Sequence, residues 1–243
     1  MDSNNRIART AGFLYLIVVI TGIFSLVYVP SQITAKGDAP AIVNSIVASE
    51  SLFRLGIASF MINQIAFLLL PLVLYQLLQQ VHRNIAVLMV VFAVVSVPIA
   101  MAAIANKLEV LDLLAGAGHL QALPPGQLEA GVMLSLNAYS NGIFATTIFW
   151  GLWLLPFGYL VFKSGFLPRV LGILLIIGGF GILTDLFGRT LFPRYAETPI
   201  STFLEMSSSF GEIGICLWLL IFGARKTFRA PGNLTQQPRE KRA

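Results

Sequence analysis

Charge is scarce in this chain. Asp, Glu, Lys and Arg make up only 11% of its 243 residues, while 56% are hydrophobic. A water-soluble domain carries about 25% charged residues. So few charges cannot cover a soluble domain of this length, which excludes one and makes lipid the solvent for most of the chain. Cysteine occurs once, at Cys216. That excludes an intramolecular disulfide and dithiol exchange, and a lone Cys inside an apolar run packs as a small hydrophobe. Histidine occurs twice, at His82 and His119, on opposite sides of the expected membrane, which excludes a three-His zinc site. The chain has no P-loop, no G-x-G-x-x-G and no G-x-S-x-G, so nucleotide and α/β-hydrolase chemistry lack their signatures. No spacing selects a serine to go with His119 in a triad. No cofactor and no metal site are expected.

What the chain has is long apolar runs. The one that organises the rest is Phe149–Gly179, FWGLWLLPFGYLVFKSGFLPRVLGILLIIGG, broken only at Lys163–Arg169. Two apolar runs around a short basic turn read as a membrane hairpin with its turn in the cytoplasm. Similar runs predict spans over 11–29, 52–78, 85–106, 131–162, 167–187 and 202–223. The expected fold is therefore an all-α, polytopic membrane helix bundle of six transmembrane helices. The first run is too long for a signal peptide and has no A-x-A cleavage site after it. The domain plan is a cytoplasmic N-terminus at 1–9, one transmembrane domain at 10–224, and a basic cytoplasmic tail at 225–243. The tail has no apolar face and is expected to be disordered. Between the first two spans, Asp38 followed by Pro40 can start a short helix. Its Ile42, Val43, Ile46 and Val47 would lie on the membrane surface. Residues 107–130 read as an interfacial extension followed by a loop.

The net charge of +5 does not point to nucleic acid, because that would need cations clustered on a solvated face. Here they sit at the ends of apolar runs. Arg6, Arg9, Arg83, Lys163, Arg169, Arg225, Lys226, Arg229, Arg239, Lys241 and Arg242 place eleven on the side of the termini, and Lys36, Arg54, Lys107, Arg189 and Arg194 place five on the other. The cation excess orients both termini to the cytoplasm of a multi-pass protein in the cytoplasmic membrane. The lipid bilayer is the expected partner.

The odd spans open with the same pattern, R-x-x-[GA]-x-L: Arg9 with Gly12 and Leu14, Arg83 with Ala86 and Leu88, and Arg169 with Gly172 and Leu174. The fourth and sixth share Leu152-Trp153-Leu154-Leu155 and Leu217-Trp218-Leu219-Leu220, with Leu69-Leu70-Pro71-Leu72 a weaker match in the second. The Arg would snorkel to the interface, and the small residue one turn later would let a neighbouring backbone approach. Two readings are open: three helical-hairpin repeats, or chance similarity among Leu-rich helices.

Nine of the eleven acidic residues fall on the outer side or in the outer half of spans. Glu212 lies thirteen residues, or ~20 Å along a helix, from Arg225, and so near mid-membrane. Glu205 is two turns further out, with Ser208 and Ser209 between. Asp185 and Arg189 are spaced to pair on one helix face. Arg54, Asn63 and Gln64 on the second span, and Asn137 and Asn141 on the fourth, add polar groups at comparable depth. Ionisable groups at that depth face a bundle interior or a watery cavity. The candidate ligand-binding residues are therefore Glu212, Glu205, Asp185, Arg189, Arg54, Asn137, Asn141 and Gln64, converging on an outward-facing pocket. The alternative for Asn63, Gln64, Asn137 and Asn141 is interhelical glue. Both arginines lie nearer the outer surface than Glu212, so Glu212 is expected neutral or hydrated rather than ion-paired.

Motif order adds a family resemblance. Arg9-x-Ala-Gly12-x-x-Tyr15, Gly22-Ile-Phe24, Tyr28-Val-Pro30, Glu50 to Gly56, Leu69 to Tyr75, the Phe149–Gly179 stretch and Gly211-Glu212-Ile-Gly214 follow one another over residues 6–225. Together they resemble the bacterial membrane family known as domain of unknown function 4386. The resemblance implies a multi-span prokaryotic membrane protein and brings no activity or site residues. The leading expectation is a protein that binds or moves a small or lipidic molecule through the outward pocket. The alternatives are a membrane-embedded enzyme using the same carboxylates, with or without a divalent metal held by oxygen ligands, and a structural or regulatory partner of another membrane protein. A structural partner would present lipid-facing small residues such as Gly178 and Gly179.

Overall fold

The computed structural model describes residues 3–33, 38–116, 124–192, 194–195 and 198–224, and only the backbone of residues 125 and 199–209. Among these residues the fold is all-α, without strands. Its elements are α1 (Ser3–Gly22), a π-helical segment (Ile23–Tyr28), α2 (Val29–Ile33), α3 (Ala39–Ala48), α4 (Glu50–Leu78), α5 (Arg83–Ala115), α6 (Pro125–Lys163), α7 (Arg169–Leu191) and α8 (Pro199–Ile221). Ser3–Ile33 forms one continuous helical rod. Five helices among the described residues are long and apolar enough to cross a membrane, and Phe210–Ile221 of α8 is a shorter apolar stretch. This is the architecture of a multi-pass membrane protein. The tail at 225–243 lies outside the described residues.

Each long helix packs on the next: α1 on α4, α4 on α5, α5 on α6, α6 on α7 and α7 on α8. α8 then returns to α1 and closes a ring. Neighbours run antiparallel. Thr21 and Val29 of the first rod meet Ser59 and Gly56 of α4, Ala103 and Leu113 of α5 meet Gly142 and Gly131 of α6, and Gly158 and Gly151 of α6 meet Gly172 and Gly179 of α7. The first turns of α1 and the last turn of α8 lie together, with Arg9 Nη2 donating to Ile221 O at 3.5 Å.

Small residues make the ring tight. Gly12 is buried, and a Cβ there would run into the backbone of Leu219 and Leu220 on α8. At the α6–α7 contact, a Cβ on Gly158 would come within 2.7 Å of Gly172 O, and one on Gly172 within 2.7 Å of Gly158 O. The small residue of each R-x-x-[GA]-x-L pattern is buried, Gly12, Ala86 and Gly172 alike. Gly178 and Gly179, expected to face lipid, are also buried, and Gly179 packs against α6, where a Cβ on it would approach Gly151 O.

Several boundaries differ from those expected. Helix begins at Ser3, because the polar first turns continue the α1 rod. α5 runs unbroken through Lys107 to Ala115 instead of dissolving into an interfacial extension. The reason is periodicity: Ala103, Ile104, Lys107, Val110 and Leu111 share the buried face, with Glu109 and Asp112 exposed. Gly116, at φ 61°, ends the helix in the left-handed conformation. α3 starts as expected, with Asp38 Oδ1 accepting from Ala41 N at 3.2 Å and Pro40 in the first turn. It does not simply lie on a surface, however, because Val43 and Ile46 are buried against the bundle while Val47 is exposed.

The interior has two apolar cores. One is built around Tyr15, Leu74, Met89, Trp153, Phe157 and Leu219 at the end holding the chain termini. The other, at the opposite end, is built around Val29, Ile46, Phe53, Phe60, Ile104 and Tyr139.

Gly12→Ala is expected to destabilise the protein by about 1–3 kcal/mol, the usual cost of overpacking, and Gly12→Leu to prevent α1–α8 closure. Gly126→Ala, where a Cβ meets nothing within 4 Å, is the control and should melt with the parent or above it. Thermal melts in detergent compare the three.

Candidate functional site

Between the two cores the ring holds a partly open cavity of about 410 Å³. α1, the π segment, α4, α6, α7 and α8 all contribute to its wall, which is mostly apolar: Val18, Val19, Phe67, Trp150 and Ile182 among others. Its polar groups are few: Tyr15, Asn63, Gln64, Thr147 and Glu212. Ile23 and Val27 on the first rod and Ile213 on α8 line the cavity and are exposed. The cavity is open on that side.

Glu212 is held by the first helix. Tyr15 Oη donates to Glu212 Oε2 at 2.9 Å, directly bridging α1 and α8. Tyr15 is fully buried, with its ring 6.2 Å from that of Trp153 and 6.4 Å from that of Phe157. Trp153 stacks on Phe157 at 5.1 Å and meets Phe67 edge-on at 5.2 Å. These rings fix the phenol, and the phenol orients the carboxylate. No Arg or Lys pairs with Glu212 among the described residues. Cys216, one turn on, is buried with Sγ 3.8 Å from Gly12 O, as a packed small residue of the same α1–α8 contact.

A second polar strip crosses from α4 to α1. Asn63 Nδ2 donates to Val18 O at 2.7 Å and to Thr21 Oγ1 at 3.2 Å. Ser59 Oγ and Ser25 Oγ both donate to Thr21 O, at 3.3 and 2.7 Å. These side chains gather where the rod passes from α to π winding, and the backbone ladder must change its hydrogen-bond step there. Asn63 is thus an interhelical clamp. Gln64 Nε2 donates to Asn63 Oδ1 at 3.1 Å. Gln64 lines the cavity, and its Oε1 is buried with no hydrogen-bond partner among the described residues. A buried amide oxygen of this kind is costly unless something donates to it.

Asp185 and Arg189 pair on α7 as their spacing predicts, Nε to Oδ2 at 2.7 Å. They line a second cavity of about 430 Å³ with Tyr139, Ser140 and Ile143. Leu26, Thr147 and Ile182 belong to the walls of both cavities, so the two are adjoining.

The remaining candidates lie elsewhere. Arg54 is bonded to Glu50 at 2.7 Å, with both side chains about half exposed; the pair sits in the first turn of α4 and lines none of the described cavities. Asn137 and Asn141 also line none of them and are exposed. On α6, residues 130, 134, 137, 141 and 145 form the outward row, while Val132, Ser135, Tyr139, Thr146 and Trp153 face inward. Glu205 is within α8, with its side chain outside the described residues. Among the described residues no three His, Cys, Asp or Glu side chains gather as a metal site would need.

Two residues that sequence reasoning did not single out matter most. Tyr15 carried a signal, since it stands on the same helical face as Ala8 and Gly12 in the first resemblance motif. Lys107 carried one as well, as a lone cation within an apolar helical row.

Glu212→Gln keeps an acceptor for Tyr15 and should melt close to the parent. Glu212→Leu removes it, and the orphaned phenol should cost about 1–3 kcal/mol. Tyr15→Phe, which leaves Glu212 in a cavity that water can share, should cost less, about 0.6 kcal/mol on the scale of membrane hydrogen bonds. Melts of the three variants in one detergent give the order.

The comparisons agree with the resemblance of the motifs. The profile of the family described as Domain of unknown function (DUF4386) matches residues 10–223. Over 90 residues the chain is 34% identical to an uncharacterized protein of Archaeoglobus fulgidus, a match covering 37% of this chain and 51% of that relative. The chain thus spans about half the length of the curated relative it matches. No solved structure matches it. With nearly all of its ring of helices inside the matched segment, from Arg9's helix through Gly223, the chain belongs to the DUF4386 family.

Proposed function

We propose that the protein binds, and passes across the outer half of the membrane, a small or lipid-like molecule that enters the central cavity. The observation that carries this reading is the pairing of a 410 Å³ apolar cavity with few, fixed polar groups. Small-molecule sites have this volume and this balance. Gln64 Oε1 and the Glu212 carboxylate offer acceptors, so the molecule would present an N–H, O–H or cationic group there. Arg189, in the adjoining cavity, would meet any anionic group further out. The exposed Ile23, Val27 and Ile213 offer a lateral way in from lipid.

The same proposal includes a six-span bundle in the cytoplasmic membrane with both termini inside. Three features support it. The six long helices alternate in direction round a closed ring. The start of α1 and the end of α8 lie side by side. α8 has 23 helical residues, or about 35 Å of helix, enough for a hydrocarbon core of about 30 Å. On this frame Glu212 stands nine residues, or about 14 Å, before Ile221, close to the midplane. The buried Gly12, Ala86 and Gly172 support the three-hairpin repeat, since each is buried three residues after its Arg.

Two experiments test the proposal. Molecules that co-purify with the parent in mild detergent should be absent from Thr147→Phe, a substitution that fills the junction of the two cavities, when both variants melt alike. Identical extracts by mass spectrometry, or none from the parent, would count against the cavity as a binding site. Reporter fusions at Gly37, Pro125 and Pro193 should be active outside, and fusions at Asn84, Ser164 and the C-terminus should report inside. A single consistent reversal would remove the six-span topology.

A further inference from the structure

Lys107 is the cation that the central site does not use. It is only 6% exposed, on the inward row of α5. Its Nζ lies 4.1 Å from the centre of the Tyr139 ring and 5.6 Å from that of Phe53. Among the described residues no carboxylate pairs with it, and no carbonyl or side-chain acceptor takes any of its three N–H groups. Glu109 and Asp112, the acidic neighbours on its own helix, point outward, and Glu50 is engaged by Arg54. Two aromatic faces offset only part of the cost of taking an ammonium out of water. A buried cation in this state is short of an anion.

The space for one is there. Lys107 lines a pocket of about 160 Å³ with Ile33, Ile46, Phe53, Leu136, Tyr139 and Ser140. The walls are apolar apart from Lys107, the Tyr139 phenol and the Ser140 hydroxyl, and no acid lines the pocket. Ser140 Oγ donates to Leu136 O at 3.0 Å, so its proton is occupied. The Tyr139 hydroxyl bonds to no group among the described residues, which leaves the ammonium and the phenol as the two donors. Tyr139 and Ser140 also line the cavity of Asp185 and Arg189. Lys107 is 24 residues from Arg83 on the same helix, or about 36 Å, and so at the end of the bundle opposite the chain termini. A single oxyanionic group fits this pocket, and a phosphate is the natural one, because lysine binds it as a point charge.

We infer that Lys107 and Tyr139 form an oxyanion site for a phosphate group at the outer end of the bundle, separate from the central cavity. The phosphate can come from the headgroup of a lipid in the outer leaflet or from solution. The chemistry is the same in both cases, and the site stands whether or not the central cavity takes a ligand.

The test measures binding to the purified protein in neutral detergent with two probes, short-chain phosphatidylglycerol and inorganic phosphate. The parent should bind phosphatidylglycerol, and Lys107→Met should weaken it by about tenfold or more, the size of one lost charged contact. Lys107→Arg should keep most of the affinity. Ser140→Phe, which blocks the pocket and leaves the charge in place, should weaken binding as Lys107→Met does, and it decides the matter if Lys107→Met fails to fold. Arg54→Gln, which removes an exposed cation at the same end, should leave the affinity unchanged. Lipid binding without phosphate binding identifies a headgroup site; phosphate binding that competes with the lipid identifies a site for the free anion. The inference is overturned if the parent binds neither probe, if Ser140→Phe binds both as the parent does, or if Arg54→Gln weakens binding as much as Lys107→Met, which would make the effect one of general surface charge.

Discussion

The contact of α1 with α8 at Gly12 holds the rest of the structure in place. Helices in lipid gain nothing from hydrophobic association, since lipid tails are as apolar as their side chains; they gain from close packing and from hydrogen bonds between them. At Gly12 the two backbones touch, and one turn further on Tyr15 and Glu212 form their bond. Close approach and polar contact thus occur at one place. Without it the six long helices would make an open row, and the cavity would lose its wall on the α1–α8 side. The aromatic rings of Trp153 and Phe157 then have a second role: they fill the ring interior below the cavity, and they set the angle at which Tyr15 reaches across.

The cavity is a product of the same packing. Two cores form, one at each end of the bundle, and each is filled by large side chains pointing inward. Between them the inward positions carry Gly22, Asn63, Gln64 and Thr147, which are small or polar and do not reach the centre. Space is left where bulk is missing. Polar groups line that space because their alternatives are worse: Asn63 is used up in tying α4 to α1, and Gln64, bonded to Asn63 on one side, is left facing inward on the other.

Much of this was legible in the sequence, for a simple reason. Apolar runs bounded by charge or by Gly and Pro specify helices whatever they pack against, so the helices and the hairpin turn at Lys163–Arg169 follow from the residues alone. The Asp185–Arg189 pair follows from a spacing of four. Tertiary direction was harder to read. Asn137 and Asn141 lie at the right depth but on the outward row of α6, and only the phase of the whole helix, set by Tyr139, Thr146 and Trp153, says so. Arg54, expected near the outer surface as part of the pocket, instead pairs with Glu50 in the exposed first turns of α4. Lys107 shows the opposite case. Its charge suggested the end of a span, yet the apolar residues at 103, 104, 110 and 111 carry the helix past it and take the lysine inward with them.

The π segment in the first rod sets the direction in which everything beyond it faces. A π turn holds about one residue more than an α turn, and each residue in an α-helix advances the side chains by about 100°. The extra residue in Ile23–Tyr28 therefore turns Val29 and Ile33 relative to Tyr15 and Val18. With it, Tyr15 faces the lower core while Val29 and Ile33 are buried in the upper one. The same residues wound as plain α-helix would carry these two side chains about 100° aside, off Phe53 and Ile57. The two halves of the first rod could then no longer serve the two cores at once. This one irregular turn allows a single helix to seal both ends of the cavity while its middle, at Gly22 and Ile23, stays narrow enough to leave it open.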